Sequence, residues 1–267
     1  AHNRLLAKLT EIYPGELVLS YNSGIMHHKM INLIARLNGV PAVPLPEKRY
    51  GPYMVVPFGK ILEGVAVPNT VTKALHTEKY FNRDVSAFTI EESSFYSNLE
   101  DQVRTIKSFN RPVILVDDLL HKGYRMNKID PILKKTGVEV VDTVVGVQTG
   151  RGRDLMTIKE RTVDSAYFLP NMKCWIDETA IYPYIGGDSM KDAEKPVSCL
   201  GTVPSLNLVL PYAVPSFLGD ISGKSTYDYS MTCLENARSI LKTLEEEYQN
   251  VFERKLTIKR LGEVVTE

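Results

Sequence analysis

Cysteine is scarce in this chain: Cys174, Cys199 and Cys233 are the three in 267 residues. They are odd in number and far apart, which excludes a disulfide framework, and without a Cys-x-x-Cys pair a structural zinc site is not expected. Net charge is also missing, because 32 Lys and Arg cancel 32 Asp and Glu. Such a chain has no global pull toward nucleic acid or an anionic membrane, so neither is expected as a partner and any anion site must be local. No apolar run is long enough to cross a bilayer, and the first residues read as a polar helix start rather than a signal peptide. Internal repeats and low-complexity tracts are absent. What is present is an ordinary globular balance, 43% hydrophobic and 24% charged, which excludes extensive disorder. The expectation is a reduced, cytoplasmic protein with one large domain or a domain plus an appendage. Residue 1 is Ala, which fits a processed chain or a domain cut from a longer one.

Apolar strand-like runs alternate with helix-like periodicity. Apolar residues at 5, 6, 9, 12 and 13 mark a helix that Pro14-Gly15 stops. Leu17-Val18-Leu19 reads as a short buried strand. A helix over Ile25 to Leu37 ends at Asn38-Gly39. Tyr53 to Phe58 and Ile61 to Val67 read as two strands, a hairpin turning at Gly59-Lys60. Phe95, Leu99, Val103 and Ile106 share a helical stripe. Pro112 to Val116 is a continuous β run of the kind buried on both faces of a parallel sheet. A helix over 125–136 closes at Gly137, Val138 to Val147 is the next strand, and Tyr167 to Leu169 another. Strands alternating with helices indicate an α/β sheet with right-handed crossovers. Residues 171–220 are rich in Gly, Pro and Ser and poor in pattern. Ser225 to Phe252 reads as the longest helix, with Ser225 and Asp228 in a capping-box arrangement. Its seam, Leu234, Ala237, Leu241, Leu244, Tyr248 and Val251, packs on its own domain or on a second copy in a homodimer.

The stretch richest in chemistry is Val113-Ile-Leu-Val-Asp117-Asp118-Leu-Leu-His121-Lys122-Gly123-Tyr124-Arg125. An apolar strand delivers two carboxylates to the carboxyl edge of a parallel sheet, where ligands of open α/β sheets bind. A loop with one Gly and the start of a helix follow, presenting backbone N–H groups suited to a phosphate. One site can therefore hold hydroxyls with its acids and a phosphate with its loop.

This segment resembles the signature of the type I phosphoribosyltransferases: a hydrophobic strand, two acids, two apolar residues and a small Thr/Gly-rich loop. The resemblance implies that Asp117 and Asp118 bind the ribose of phosphoribosyl pyrophosphate (PRPP) and, with it, Mg²⁺. It implies that His121, Lys122, Gly123, Tyr124 and Arg125 form the phosphate loop. The chain departs from the family, which has Thr before the Gly, another Gly after it and then Thr or Ser. Two readings follow: Lys122 and Arg125 grip the phosphate by charge, or Tyr124 and Arg125 fill its pocket. The resemblance extends to Leu17 to Ile25, where Ser23 and Gly24 match a loop that contacts the pyrophosphate. Asn69 to Phe81 stands where the family has a loop that closes over PRPP, with Lys73, His76 and Lys79 as candidates to neutralise the leaving group and an exposed basic helix as the alternative.

Weaker candidates are Arg151-Gly152-Arg153, a sheet-edge contact or a solvated turn, and Gly186-Gly187-Asp188, a turn. Trp175 and the Pro-rich 203–215 stretch are read as packing. The expected architecture is a mostly parallel α/β sheet of phosphoribosyltransferase-like type over residues 1–200, flanked by helices. Residues 201–267 form an extension with a long helix. The implied activity is transfer of a phosphoribosyl group from PRPP to a nitrogen nucleophile with release of pyrophosphate. The alternative is a non-catalytic PRPP- or nucleotide-binding module on the same fold.

Overall fold

A computed structural model describes residues 1–47, 49–59, 61–62, 65–81, 87–93, 95–175, 188–192, 195–196, 205–206 and 221–257. In chain order the elements begin α1 (His2–Ile12), α2 (Ser23–Asn38), β1 (Met54–Pro57), β2 (Val71–Thr72), β3 (Thr77–Phe81), β4 (Phe88–Glu92) and α3 (Leu99–Ser108). They continue β5 (Val113–Leu120), α4 (Tyr124–Thr136), β6 (Val140–Thr149), α5 (Gly150–Ile158) and β7 (Asp164–Leu169). The short strands β8 (Asp188–Asp192), β9 (Lys195–Pro196) and β10 (Ser205–Leu206) precede α6 (Gly223–Phe252). The chain divides into two compact units: Ser20–Glu78 with Ile90–Met172, and Ala1–Leu19 with Lys79–Thr89 and Lys173–Glu267. Most of 176–220, including Cys199, Gly186, Gly187 and most of the 203–215 stretch, lies outside the described residues.

The first unit is built on a five-stranded parallel sheet in the order β2-β1-β5-β6-β7. This is the expected mostly parallel α/β architecture flanked by helices. The run Val113 to Val116 is fully buried and becomes the central strand because it has apolar side chains for both faces. Met54, Val56, Val113, Leu115 and Val145 pack with Val103 and Ile106 of α3, Ile129 and Leu133 of α4 and Met156 of α5 in one core. The helices start and stop where small polar side chains and glycines permit. Asn22 and Asn98 accept the N–H groups of Ile25 and Asp101, and Gly39 and Gly137 end α2 and α4 in the left-handed conformation. The chain crosses from β1 to β2 on one side and returns to β5 on the other. Strand order therefore reverses between β1 and β5, and the crevice outside their carboxyl ends is where this class of sheet binds ligands.

Three expected elements differ. Leu17 to Leu19 is not a strand: Leu17 and Leu19 are exposed, while Val18 packs against a separate apolar cluster. An apolar triplet becomes a strand only beside a free sheet edge. The hairpin expected from Ile61 to Val67 falls partly on residues 60, 63 and 64, outside the described residues, and both edges of β1 are taken by the parallel partners β2 and β5. The stripe from Phe95 starts late: Asn98 caps α3, and Phe95 is exposed.

In the second unit α1 packs on α6 through Leu5, Leu9, Tyr229, Cys233 and Ala237. Ser222, not Ser225, caps α6 through the N–H of Ser225. The buried stripe of α6 follows Tyr229, Cys233 and Ala237 in steps of four, so Leu234 of the expected seam is only half-buried. A small sheet has the order β10-β8-β3-β4, with β9 on β8. Among the described residues no helix is long and apolar enough to cross a membrane.

Candidate functional site

β5 runs past both acids to Leu120, so Asp117 and Asp118 lie within the strand rather than at its last residues. Each is pinned by the local backbone: Asp117 Oδ1 accepts from the N–H of Asp118 and Asp118 Oδ1 from that of Leu119. Asp117 is buried, whereas the side chain of Asp118 is 29% exposed. Beside them β1 ends: the N–H of Phe58 donates to Val116, and Gly59 turns the chain at φ +58°. The acids thus sit at the reversal between β1 and β5.

Arg125 does not point at a phosphate. From the first turn of α4 it folds back, pairs with Asp117 and lies 3.7 Å from Asp118. Its guanidinium stands 5.4 Å from the centre of the Phe58 ring. This corrects the reading in which Arg125 grips the phosphate. Helix phase decides it, since residue 125 lands on the face turned toward β5. Burial pushes the Asp117 carboxyl well above the ordinary carboxylate range; Arg125 opposes the shift and Asp118 adds to it.

The loop after β5 is three residues long. Gly123 adopts φ +69°, and a Cβ there would stand 1.9 Å from Leu155 Cδ2, so any other residue is strained in the left-handed backbone and must displace the Leu155 side chain. No side chain caps α4. Lys122 and Tyr124 are exposed. His121 Nδ1 lies 3.1 Å from Thr149 Oγ1, which also caps α5 by accepting the N–H of Gly152 at 3.1 Å. Burial first, then Lys122 and Arg151, hold His121 below the ordinary imidazole value.

Ser23 and Gly24 open α2 behind the Asn22 cap, and both are exposed. A Cβ on Gly146 of β6 would meet Met26 Sδ at 2.6 Å and the Asp118 carbonyl at 2.7 Å. The first turn of α2 therefore lies close over the sheet beside Asp118. The 69–81 segment is neither a basic helix nor a free loop. Val71–Thr72 is β2, the exposed Lys73 donates its N–H to Val55, and β3 follows from Thr77. The backbone N–H of His76 donates to Gln102 Oε1 at 2.8 Å, and its ring stacks on Tyr96 with centroids 3.5 Å apart. Lys79 lies in β3, 5.3 Å from the centre of the Phe88 ring. The structure ties His76 to α3 and its approach.

Two features of this edge, Phe58-Gly59 and Thr149, are not singled out in the sequence as functional, and a third, Arg151, belongs to the weaker Arg151-Gly152-Arg153 candidate. Phe58-Gly59 closes β1 beside the acids. Thr149 links the β5 loop to α5. Arg151 follows it in the first turn of α5. An apolar run ended by Phe-Gly was a usable signal for the first; no local pattern marks the second.

No family model matches this chain, and no curated protein matches it in sequence. Among solved structures, it is similar to a hypoxanthine phosphoribosyltransferase from Trypanosoma cruzi, a point mutant complexed with the product IMP. The TM-score is 0.32 at 12% identity, covering 61% of this chain and 81% of that one. It is also similar to an adenine phosphoribosyltransferase from Thermoanaerobacter pseudethanolicus, with a TM-score of 0.32 at 11% identity over 59% of this chain and 92% of that one. Neither likeness assigns a role to a residue here, and the reading of the site rests on its geometry.

Among the described residues no group of three or more His, Cys, Asp or Glu side chains is arranged to hold a metal. Asp117 does not fit as a ligand while Arg125 covers it. Asp118, partly exposed, fits as one oxygen ligand of a Mg²⁺ ion whose other ligands come from a substrate and water.

Proposed function

We propose that this chain binds a phosphorylated ribose, PRPP with Mg²⁺, outside the carboxyl end of β5. On this reading it transfers the phosphoribosyl group to a nitrogen nucleophile, releasing pyrophosphate. The observation that carries the reading is the adjacent acid pair at the reversal between β1 and β5, followed at once by a loop that opens through Gly123 into α4. Asp118 orients the ribose hydroxyls. Asp117 joins it when Arg125 swings away. The 121–123 loop and the start of α4 receive the 5-phosphate, and Ser23 and Gly24 at the start of α2 face the pyrophosphate. Mg²⁺, held in part by Asp118, would supply charge neutralisation for the leaving diphosphate. Lys73 and His76 are retained as lid candidates, to act if the β2–β3 segment shifts over the ligand.

One observation favours a second reading, a non-catalytic binding module: Arg125 already neutralises the acid that a substrate hydroxyl would need. Pyrophosphate release from PRPP, with Mg²⁺ and a panel of nitrogenous bases, separates the two. Release that depends on a base and disappears in Asp118→Asn supports the transferase. PRPP binding without release by any base assigns the module.

A further inference from the structure

α6 is longer than the helix that covers it. Its 30 residues span about 45 Å, against about 16 Å for the 11 residues of α1. Among the described residues α1 is the element that packs along it. Two hydrogen bonds fix where that packing stops. Asn236 Nδ2 donates to the Ala1 carbonyl, and Arg4 donates to Ser239 Oγ at 3.1 Å. The start of α1 therefore lies against residues 236–239, and the shared core continues from there to Cys233 and Tyr229, toward the start of α6. From residue 241 to 252 no residue of α6 is buried.

That half nevertheless keeps an apolar face. Leu241, Leu244, Tyr248 and Val251 continue Leu234 and Ala237 in alternating steps of three and four, the spacing of a seam that faces a second helix. Val251 is 68% exposed, and Phe252 beside it 57%. The charges are sorted around this seam. Lys242 and Glu246 pair with each other at 3.7 Å on the opposite face. Arg238 and Glu245 lie along one flank, both exposed and in no ion pair among the described residues. They stand two turns apart, beyond the three- or four-residue spacing at which a helix pairs its own side chains. An open apolar seam with one charge of each sign on the same flank is complementary to itself.

We propose that α6 pairs antiparallel with the α6 of a second copy, about a two-fold axis between Leu241 and Leu244. In this register Leu241 meets the partner's Leu244, Ala237 the partner's Tyr248 and Leu234 the partner's Val251, so the whole seam is used. Ala237 lies where the seam leaves the α1 contact, and the partner helix adjoins the start of α1 there. An antiparallel pair brings like flanks together, which sets Arg238 against the partner's Glu245, and the two-fold axis makes that contact twice. The same charges reject the alternatives. Sliding by one heptad sets Glu245 against its own copy in one direction and Arg238 against its own copy in the other. A parallel pair in register sets Glu245 beside Ile240 and Glu247 beside Phe252, with no opposite charges matched. The flank charges, exposed at the rim, select the register, and the seam supplies the apolar burial. This surface does not depend on the phosphoribosyl reading.

Sedimentation equilibrium of the full chain, from about 1 µM to about 0.2 mM, reads the oligomeric state. A dimer is expected. Leu244→Glu is expected to leave a monomer with unchanged helical circular dichroism, because Leu244 lies beyond the α1 contact. Arg238→Glu and Glu245→Arg are each expected to weaken the dimer about tenfold or more, since like charges then face each other twice. An equimolar mixture of those two variants is expected to form a heterodimer of near wild-type affinity, because each copy supplies the charge the other lacks. No effect confined to one chain produces that recovery. A wild-type monomer throughout the range overturns the proposal, and so does a dimer that survives Leu244→Glu, which places the contact elsewhere. A wild-type monomer that Leu244→Glu destabilises assigns the seam to a segment of the same chain. A wild-type dimer whose two charge variants do not recover on mixing overturns the antiparallel register.

Discussion

Arg125→Thr tests the ion pair on which the state of the acid pair depends. The side chains of Asp117 and Arg125 are 6% and 29% exposed. Removing one partner of a fully buried pair costs roughly 3–5 kcal/mol, because the other charge stays buried without compensation. Arg125 is nearly a third exposed and partly screened, so about 2–3 kcal/mol is expected near pH 7.5. The Asp117 carboxyl also has an escape, since it can hold a proton. Burial already raises its proton affinity, with Arg125 the largest opposing influence, so the variant raises it further. The folded variant then keeps a proton that the unfolded chain releases above a pH of about 4. Its stability falls as pH rises from there, and the deficit against wild type opens between the two folded-state values. Urea denaturation followed by circular dichroism at pH 4.5 and 7.5 measures this directly. The expected result is a small deficit at the lower pH, a large one at the higher, and restoration in the Asp117→Asn/Arg125→Thr double variant. An equal deficit at both values, or one below about 0.5 kcal/mol at pH 7.5, would refute the reasoning.

Other expected outcomes concern separate parts of the sheet unit. Gly123→Ala must hold φ +69° and displace Leu155, so a loss of about 2 kcal/mol is expected by denaturant melting, with weaker phosphate binding. Asp130→Ala leaves Arg161, 13% exposed and 2.8 Å from the carboxylate, without its partner; about 3 kcal/mol should be lost in the same assay, whereas removing the exposed Glu100 that pairs with Lys135 should change little. His121 is held below the ordinary imidazole value, so its contribution is complete above about pH 6.5 and is lost as pH falls. Replacing it with Gln should flatten the thermal stability profile between pH 5 and 7; an unchanged slope would assign that dependence elsewhere.

Much of this architecture is legible in local sequence. Val113 to Val116 announces a central strand because four consecutive apolar side chains need two covered faces, and Gly137 and Gly39 announce helix ends because few other residues enter the left-handed region cheaply. The acid pair and the glycine after it are visible for the same local reason. Pairing is not local, which is why β2 emerges at Val71–Thr72 rather than at Ile61 to Val67. The destination of Arg125 depends on where α4 begins relative to β5, and a one-residue change in the loop would turn it to solvent. Arg151 reads as part of a solvated Arg-Gly-Arg turn until Thr149 places it beside His121.

The phosphoribosyl proposal requires a phosphorylated ribose to bind beside Asp118. Calorimetric titration of the full chain with PRPP and Mg²⁺, in wild type and Asp118→Asn, measures that most directly. The expected result is saturable one-site binding in the wild type, weaker by about tenfold or more in the variant, with little change in melting temperature. Absence of binding at millimolar PRPP, or equal affinity in the two proteins, would contradict it.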